Sequence, residues 1–386
     1  MLAGVPKESL AGERRVALVP GNLAQLKKLG LEVLVEKDAG VSAGFPDAAY
    51  VEKGARIAAG AAEVFEKADL VLRVRAVAGE AARDFERLRR GQVLIGFLEP
   101  LAAPEGIARL AERGVVAFAL ELVPRITRAQ AMDVLSSLAT VVGYKAVLMA
   151  ADTLPRMFPL LMTAGGTVPA ARAFVIGAGV AGLQAIATAR RLGAVVEAYD
   201  VRPAVKEQVE SLGAKFVELP LETGGAQDQG GYAKAMDEDF YRRQRETMAR
   251  VVASSDVVIA TAAVPGRKAP VLITAEMVAG MRPGSVIVDV AAEQGGNCEV
   301  TRPGRTVVHE GVTVMGPLNV GATVPSPASQ MYGKNLSNFL GLLVKDGKLA
   351  LNLEDEILRD TLVARDGEVV EPRVREALRL PALATA

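Results

Sequence analysis

The sequence predicts an α/β fold of two doubly wound parallel-sheet domains with a cleft between them. Three observations lead there. Short apolar runs alternate with helix-like segments along both halves of the chain. Half of the residues are hydrophobic but only 4% are aromatic, with many Ala, Val, Leu and Gly, which suits buried parallel strands covered by helices. A glycine-rich turn joins one such strand to one such helix. At 386 residues the chain is long enough for two cores of ordinary size.

In the first half, strand-like runs at Val33–Val35, Leu70–Val74, Val93–Phe97 and Val115–Leu120 are separated by helix-like stretches such as Asn22–Leu29 and Ala102–Glu112. That alternation is a βαβ pattern and predicts a parallel sheet, here without a glycine turn of its own. From Met132 to Met149 the apolar spacing is helical and predicts a long connecting helix. The second half continues with strands at Ala173–Ile176, Val195–Tyr199, Val257–Thr261, Val286–Val290 and Val312–Met315. Ser326–Val344 reads as another long helix, with Met331, Leu336, Phe339, Leu340 and Leu343 available for one face. It is expected to carry the chain back, giving a first domain of residues 1–136 plus 325–386 and a second of 137–324. A cleft between two such domains is a common place for ligands.

Charge and cysteine content exclude several classes. Lys plus Arg and Asp plus Glu both total 45, so no basic field exists to attract nucleic acid. The single cysteine, Cys298, forms no intrachain disulfide and fits a reducing cytoplasm. The first residues lack the apolar stretch of a signal peptide. Leu135–Ala151 comes nearest to a membrane span but is interrupted by Lys145, so the chain is expected to be soluble.

The glycine turn is Gly177-Ala178-Gly179-Val180-Ala181-Gly182. It follows the strand Ala173–Ile176 and opens a helix-like run, Leu183–Leu192; the next strand ends in Asp200, about 18 residues after Gly182. Strand, turn, helix and acidic residue together form a Rossmann-like dinucleotide fingerprint. Gly177 permits the tight turn, Gly179 admits a pyrophosphate to the backbone, and Gly182 lets helix and strand approach. The amides at the helix N-terminus face the anion. Asp200 would bind the ribose hydroxyls and repel a 2′-phosphate, favouring NAD(H) over NADP(H), a preference that nearby Arg202 complicates without reversing. Gly224–Asp239, with Tyr232 flanked by glycines, reads as a surface loop: either a tolerated insertion or a lid over nucleotide.

Other polar candidates are ambiguous from spacing alone. Arg125, Gln130 and Asp133 could converge on a nicotinamide, or form an ordinary charge cluster at a helix start. Ser136 and Ser137 share that ambiguity. His309, the only histidine, lies in a short strand-like run beside a turn, where an ordinary edge histidine fits better than a catalytic one. One histidine excludes an H-E-x-x-H metal site, and no metal is expected.

Taken in order, these residues resemble the proton-translocating nicotinamide nucleotide transhydrogenases, specifically their NAD(H)-binding domain I. The resemblance covers nearly the whole chain. It rests on Gly4–Glu8, Glu13–Pro20, Arg125–Asp133, Gly177–Gly182, Tyr199–Pro203, Gly230–Lys234 and Val288–Asn297. Alanine dehydrogenases resemble the chain too, but their Lys-x-Lys is replaced here by Arg73-Val74-Arg75. Their histidine after a Tyr-Leu-type pair is replaced in Phe97-Leu98-Glu99, and their aspartate before Gln-Gly-Gly by Glu293; Arg15, which could hold a substrate carboxylate there, is retained. Losing the lysine and the histidine removes the proton shuttle that amino-acid oxidation needs.

The resemblance implies an enzyme of the Si/Re-specific transhydrogenase type in which hydride passes directly between two nicotinamides. Arg125, Ile126, Thr127, Arg128 and Gln130 would contact the nicotinamide side, with Asp133 and Ser136 completing the loop; Arg125, Gln130 and Asp133 stand nearest the chemistry. Gly177, Gly179, Val180 and Gly182 would line the pyrophosphate, while Asp200, Val201 and Arg202 take the adenosine ribose. Thr261 and Ala262 join that set, and Gly231 and Tyr232 would close over NAD(H). It also implies a homodimer, a partner domain III carrying NADP(H), a membrane domain II for protons, and a peripheral position on the cytoplasmic face of the membrane. An alanine-dehydrogenase-like oxidoreductase and a non-catalytic NAD(H) sensor are the alternatives.

Overall fold

The computed structural model describes residues 1–76, 82–218, 238–263 and 268–381. The chain divides into two compact units, residues 1–138 with 322–386 and residues 139–321. Each is an α/β unit built on one main sheet.

The first unit contains the strands β1 (Leu2–Val5), β2 (Glu32–Glu36), β3 (Arg56–Ala58), β4 (Leu70–Arg75), β5 (Val93–Phe97) and β6 (Val116–Ala119). They lie in the order β6-β5-β4-β1-β2-β3, all parallel. Two strands that the apolar runs do not predict, Leu362–Arg365 and Glu368–Val369, extend the β6 edge as an antiparallel hairpin. Central strand β1 is not predicted either: four residues before a proline carry little period. Gly4 is what lets β1 sit there, since a Cβ would stand 2.6 Å from the Ala68 Cβ and 2.7 Å from the Val64 Cγ1. Strand β4 is buried from Leu70 to Val74, as expected of a strand covered on both faces.

The carboxyl ends of these strands collect charge. Arg73 is buried between Glu8 and Asp84, and its carbonyl accepts from the Tyr332 hydroxyl at 2.6 Å. Glu8 also caps β4, accepting from the Val74 amide at 2.7 Å. Just past β6, Glu121 Oε1 accepts from the Leu98 amide at 2.9 Å and from that of Glu99, while its enclosed Oε2 has no hydrogen-bond partner among the described residues. Burial accordingly pushes the Glu121 carboxyl up to about 7.

The second unit contains β7 (Arg172–Ile176), β8 (Val195–Tyr199), β9 (Lys215–Phe216), β10 (Val257–Ala260), β11 (Val286–Asp289), β12 (Thr306–His309) and β13 (Val312–Met315). Their order is β9-β8-β7-β10-β11-β13-β12, parallel except for β12. His309 thus ends the antiparallel edge strand, paired with Val312.

The four longest helices among the described residues are α1 (Val134–Thr153), α2 (Val180–Arg191), α3 (Glu238–Ala253) and α4 (Pro325–Leu343). Helix α1 runs from the first unit into the second, where Ala146, Val147 and Ala150 join the core. Lys145 does not prevent its 20 residues from being long and apolar enough to cross a membrane on length and composition alone. That character comes from small and branched apolar residues spread around the whole helix rather than along one face. In α4 the buried face is Tyr332, Leu336, Phe339, Leu340 and Leu343, with Met331 only half-buried. Phe339 packs edge-on against Phe118 with ring centroids 5.6 Å apart.

Close packing and burial can each be tested. Gly143 of α1 meets the second unit's glycine turn so tightly that a Cβ would lie 2.0 Å from the Ala181 carbonyl oxygen. Gly143→Ala should cost roughly 1–3 kcal/mol, read as a lowered thermal midpoint. An unchanged midpoint would mean that the helices part without penalty.

The second test concerns Glu121, whose ordinary value is 4.5. Between that value and about 7, the folded chain keeps a proton that the unfolded chain releases, so stability falls as pH rises through this window. Glu121→Gln keeps the shape of the neutral acid, so its midpoint should pull ahead of wild type as pH rises from about 5 to about 8. A constant difference across that range would contradict the assignment.

Candidate functional site

The glycine turn sits where β7 and β10 diverge, at the carboxyl end of the second sheet. Strand order reverses at this point, which is where open α/β sheets hold ligands. Gly177 has φ +92°, a backbone state in which a side chain is strained, and its amide donates to the Tyr199 carbonyl at 2.8 Å. Gly182 lies so close to the turn that a Cβ would stand 1.8 Å from the Gly177 carbonyl oxygen and 3.2 Å from Thr261 Oγ1. Gly179 differs: a Cβ there would meet nothing within 4 Å. Gly179 is also the N-cap of α2, and among the described residues no side chain caps that helix end. Among the described residues no side-chain acceptor meets the first-turn amides of Val180, Ala181 and Gly182, and none lies within 4 Å of a Cβ at Gly179.

Asp200 closes the turn from the end of β8. It is buried, and its Oδ2 accepts from the Ala178 amide at 2.7 Å. Its Oδ1 accepts from the Arg202 amide at 2.8 Å, and the Arg202 guanidinium bonds both oxygens. Val201 is the half-buried residue between them.

Thr261 and Ala262 follow β10. Thr261 Oγ1 donates to the Ile176 carbonyl at 3.2 Å and to that of Gly177 at 3.1 Å, tying the two strand ends together. Ala262 is clamped by the fully buried Asn297, which accepts from its amide at 3.0 Å and donates to its carbonyl at 2.8 Å. Asn297 is in turn set by Asp289, whose Oδ2 accepts from the Cys298 amide at 2.9 Å and from Thr301 Oγ1 at 2.6 Å. Burial raises the Asp289 carboxyl and pushes the Cys298 thiol up to about 11, so the cysteine is held as a neutral thiol. Glu293, in the same segment, accepts from the Asn319 amide. Asn297 is visible in the sequence only as the end of a motif; its clamp on Ala262 joins residues 35 positions apart, beyond any local signal.

The Arg125–Asp133 segment belongs to the first unit. Asp133 caps α1, accepting from the Ser136 amide at 2.9 Å and from its hydroxyl at 2.5 Å. Asp133 and Ser136 together thus cap the start of the helix. Ser137 adds a backbone bond to the Asp133 carbonyl at 3.2 Å. Thr127–Met132 forms a short 3-10 helix. Arg128 points its fork at Asp355, 2.7 and 2.9 Å away, and that pairing lowers the Asp355 carboxyl. Asn335 and Asn338 of α4 both donate to the Ala131 carbonyl at 2.9 Å and hold the segment from beneath. Arg125, Thr127 and Gln130 are exposed, and Ile126 is half-buried. Gly231 and Tyr232 lie outside the described residues.

Strand order, glycine turn and acidic strand end define a Rossmann-like doubly wound α/β protein. Residues 4–142 match the family described as alanine dehydrogenase/PNT, N-terminal domain, and residues 146–372 match its C-terminal domain. The chain belongs to the alanine dehydrogenase/PNT family. It is 48% identical over 377 residues to the first part of the NAD(P) transhydrogenase alpha subunit of Rhodospirillum rubrum, covering 96% of this chain and 98% of that one. The structure of a transhydrogenase from Sinorhizobium meliloti superposes with a TM-score of 0.86 at 46% identity, covering 96% and 100% of the two chains. An L-alanine dehydrogenase structure superposes with a TM-score of 0.82 at 28% identity, over 98% and 99%.

Proposed function

We propose that this chain is the NAD(H)-binding subunit of a proton-translocating NAD(P) transhydrogenase, with residues 137–324 as its nucleotide domain. The observation that carries the reading is the glycine turn: open space over Gly179, an uncapped helix end beside it, and the Asp200 carboxylate at the neighbouring strand end. A dinucleotide fits those residues, with Gly177, Gly179, Val180 and Gly182 against the pyrophosphate and Asp200 accepting from the ribose. Val201, Thr261 and Ala262 would border the same edge, and Gly231 and Tyr232 would supply a lid.

Hydride would pass directly between NADH bound here and NADP+ carried by a partner subunit, one nicotinamide being oxidised as the other is reduced. That transfer needs no acid or base from the protein, only close and water-free placement of the two rings. Arg125, Ile126, Thr127, Arg128, Gln130, Asp133 and Ser136 would orient the nicotinamide side by hydrogen bonds and charge. On this reading the subunit is a homodimer acting with a domain III that holds NADP(H) and a membrane domain II that passes protons. It would sit on the cytoplasmic face of the membrane. The Rhodospirillum rubrum relative is itself named as one portion of an alpha subunit, which supports a divided enzyme.

The alanine-dehydrogenase reading meets an obstacle in the first unit. Arg15, the residue available for a substrate carboxylate, is buried in a two-pronged pair with Glu13, at 2.7 and 2.6 Å. Arg75 pairs with Glu99 and Arg73 with Glu8 and Asp84, so no lysine or histidine replaces the missing proton shuttle at these positions.

The purified chain should oxidise NADH when mixed with an NADP+-loaded domain III, and should be inert with NADH, pyruvate and ammonia alone. Turnover with pyruvate and ammonia would replace this reading with amino-acid oxidation, while NADH binding without turnover in either mixture would make the chain a sensor. In the same preparation Asp200→Ala should weaken NADH binding by about tenfold and narrow its margin over NADPH. An unchanged preference, measured by titration calorimetry, would place discrimination elsewhere.

A further inference from the structure

The carboxylate of Asp200 is saturated. It has about four lone-pair directions, and each oxygen accepts two bonds. Oδ2 takes the Ala178 amide at 2.7 Å and the Arg202 terminal nitrogen at 2.8 Å. Oδ1 takes the Arg202 amide at 2.8 Å and its Nε at 2.9 Å. The two backbone donors are fixed, because releasing them would undo the glycine turn and the bend after β8. The two guanidinium donors are carried by a side chain and can leave. A ribose diol brings two O–H donors, the same number that the arginine fork supplies. Ribose and fork therefore claim the same two positions on one carboxylate.

Local sequence makes the arginine's placement deliberate. Pro203 disfavours the helical state for the residue before it, and Arg202 is extended at φ −89°, ψ 113°. That geometry folds the side chain back over Asp200, two residues upstream, where its side chain is only 13% exposed. A two-pronged arginine–carboxylate pair of this kind is planar and charge-assisted, unlike a loose surface pair.

We infer that Arg202 is a latch and a specificity residue: its fork competes with the adenosine ribose for Asp200, and once displaced it offers a cation to a ribose 2′-phosphate. The inference rests on the reading of Asp200 as the ribose acceptor. Its signature is a pair of opposite effects. Removing the fork frees Asp200 for the diol of NADH, while removing the charge takes a partner from the 2′-phosphate of NADPH. A merely structural arginine would move both affinities the same way.

The test is calorimetric titration of the full chain with NADH and with NADPH, for wild type, Arg202→Leu and Arg202→Lys. Arg202→Leu should bind NADH about tenfold more tightly and NADPH several-fold more weakly than wild type. Arg202→Lys keeps the charge and loses the planar fork, so NADH should tighten while NADPH stays near wild type. It carries the test alone if the leucine variant does not fold. Weakened or unchanged NADH binding in a folded variant overturns the latch. Wild-type chain that binds no NADH would instead overturn the functional reading, and the latch with it.

Discussion

A methyl group at Gly182 would stand 1.8 Å from the Gly177 carbonyl oxygen, and the carboxyl edge of the second sheet depends on that methyl being absent. Without the close approach, α2 could not begin where it does, and Ala178 would not deliver its amide to Asp200. Thr261 would lose its hold on the Ile176 and Gly177 carbonyls, since its hydroxyl fills the same narrow gap. The tightness is shared with α1, whose Gly143 abuts Ala181 in the first turn of α2. Three glycines thus bring three backbones together, while in the same turn a Cβ at Gly179 would meet nothing within 4 Å among the described residues.

The first sheet has the same central strand order but treats its crossing point differently. Where β1 and β4 diverge there is no glycine turn; Glu8 occupies the place, capping the Val74 amide and pairing with buried Arg73. Burial raises the Glu8 carboxyl while the guanidinium opposes that rise, so the pair persists by mutual need. One crossing point presents amides, and the other is filled by the protein's own side chains. A shared central strand order therefore carries no common chemistry; the residues at the strand ends decide it.

The α/β class was legible because alternating apolar runs and helix periods are local properties. The strands at 93–97, 195–199 and 312–315 fall where their apolar runs predict them. The central strand β1 and the hairpin at Leu362–Val369 were not legible: Gly4 breaks the apolar run of the first, Arg365 and Glu368 that of the second, and their pairing partners lie far away in sequence. The demand for glycine at 177 and 182 was also local: a strand-to-helix turn this tight leaves no room for a side chain. The Asn297 clamp, the Asn335 and Asn338 support of Ala131, and the capture of Arg15 by Glu13 are products of tertiary placement or rotamer choice. A polar residue declares its type in sequence, but its partner only in space.

That distinction bears on how charge is used throughout the first unit. Breaking a buried ion pair by removing one partner leaves the other charge uncompensated at a cost of roughly 3–5 kcal/mol. A small carboxylate seeking Arg15 would have to displace Glu13, which already offers both oxygens from two residues away and loses little entropy in doing so. The incoming anion would also take the guanidinium from a Glu13 carboxylate whose side chain is fully enclosed, leaving it the Arg14 and Arg15 amides at 3.1 and 3.0 Å. An arginine at this position is therefore not in itself an amino-acid site. It can keep its place in the sequence while its charge is turned inward onto a neighbouring carboxylate.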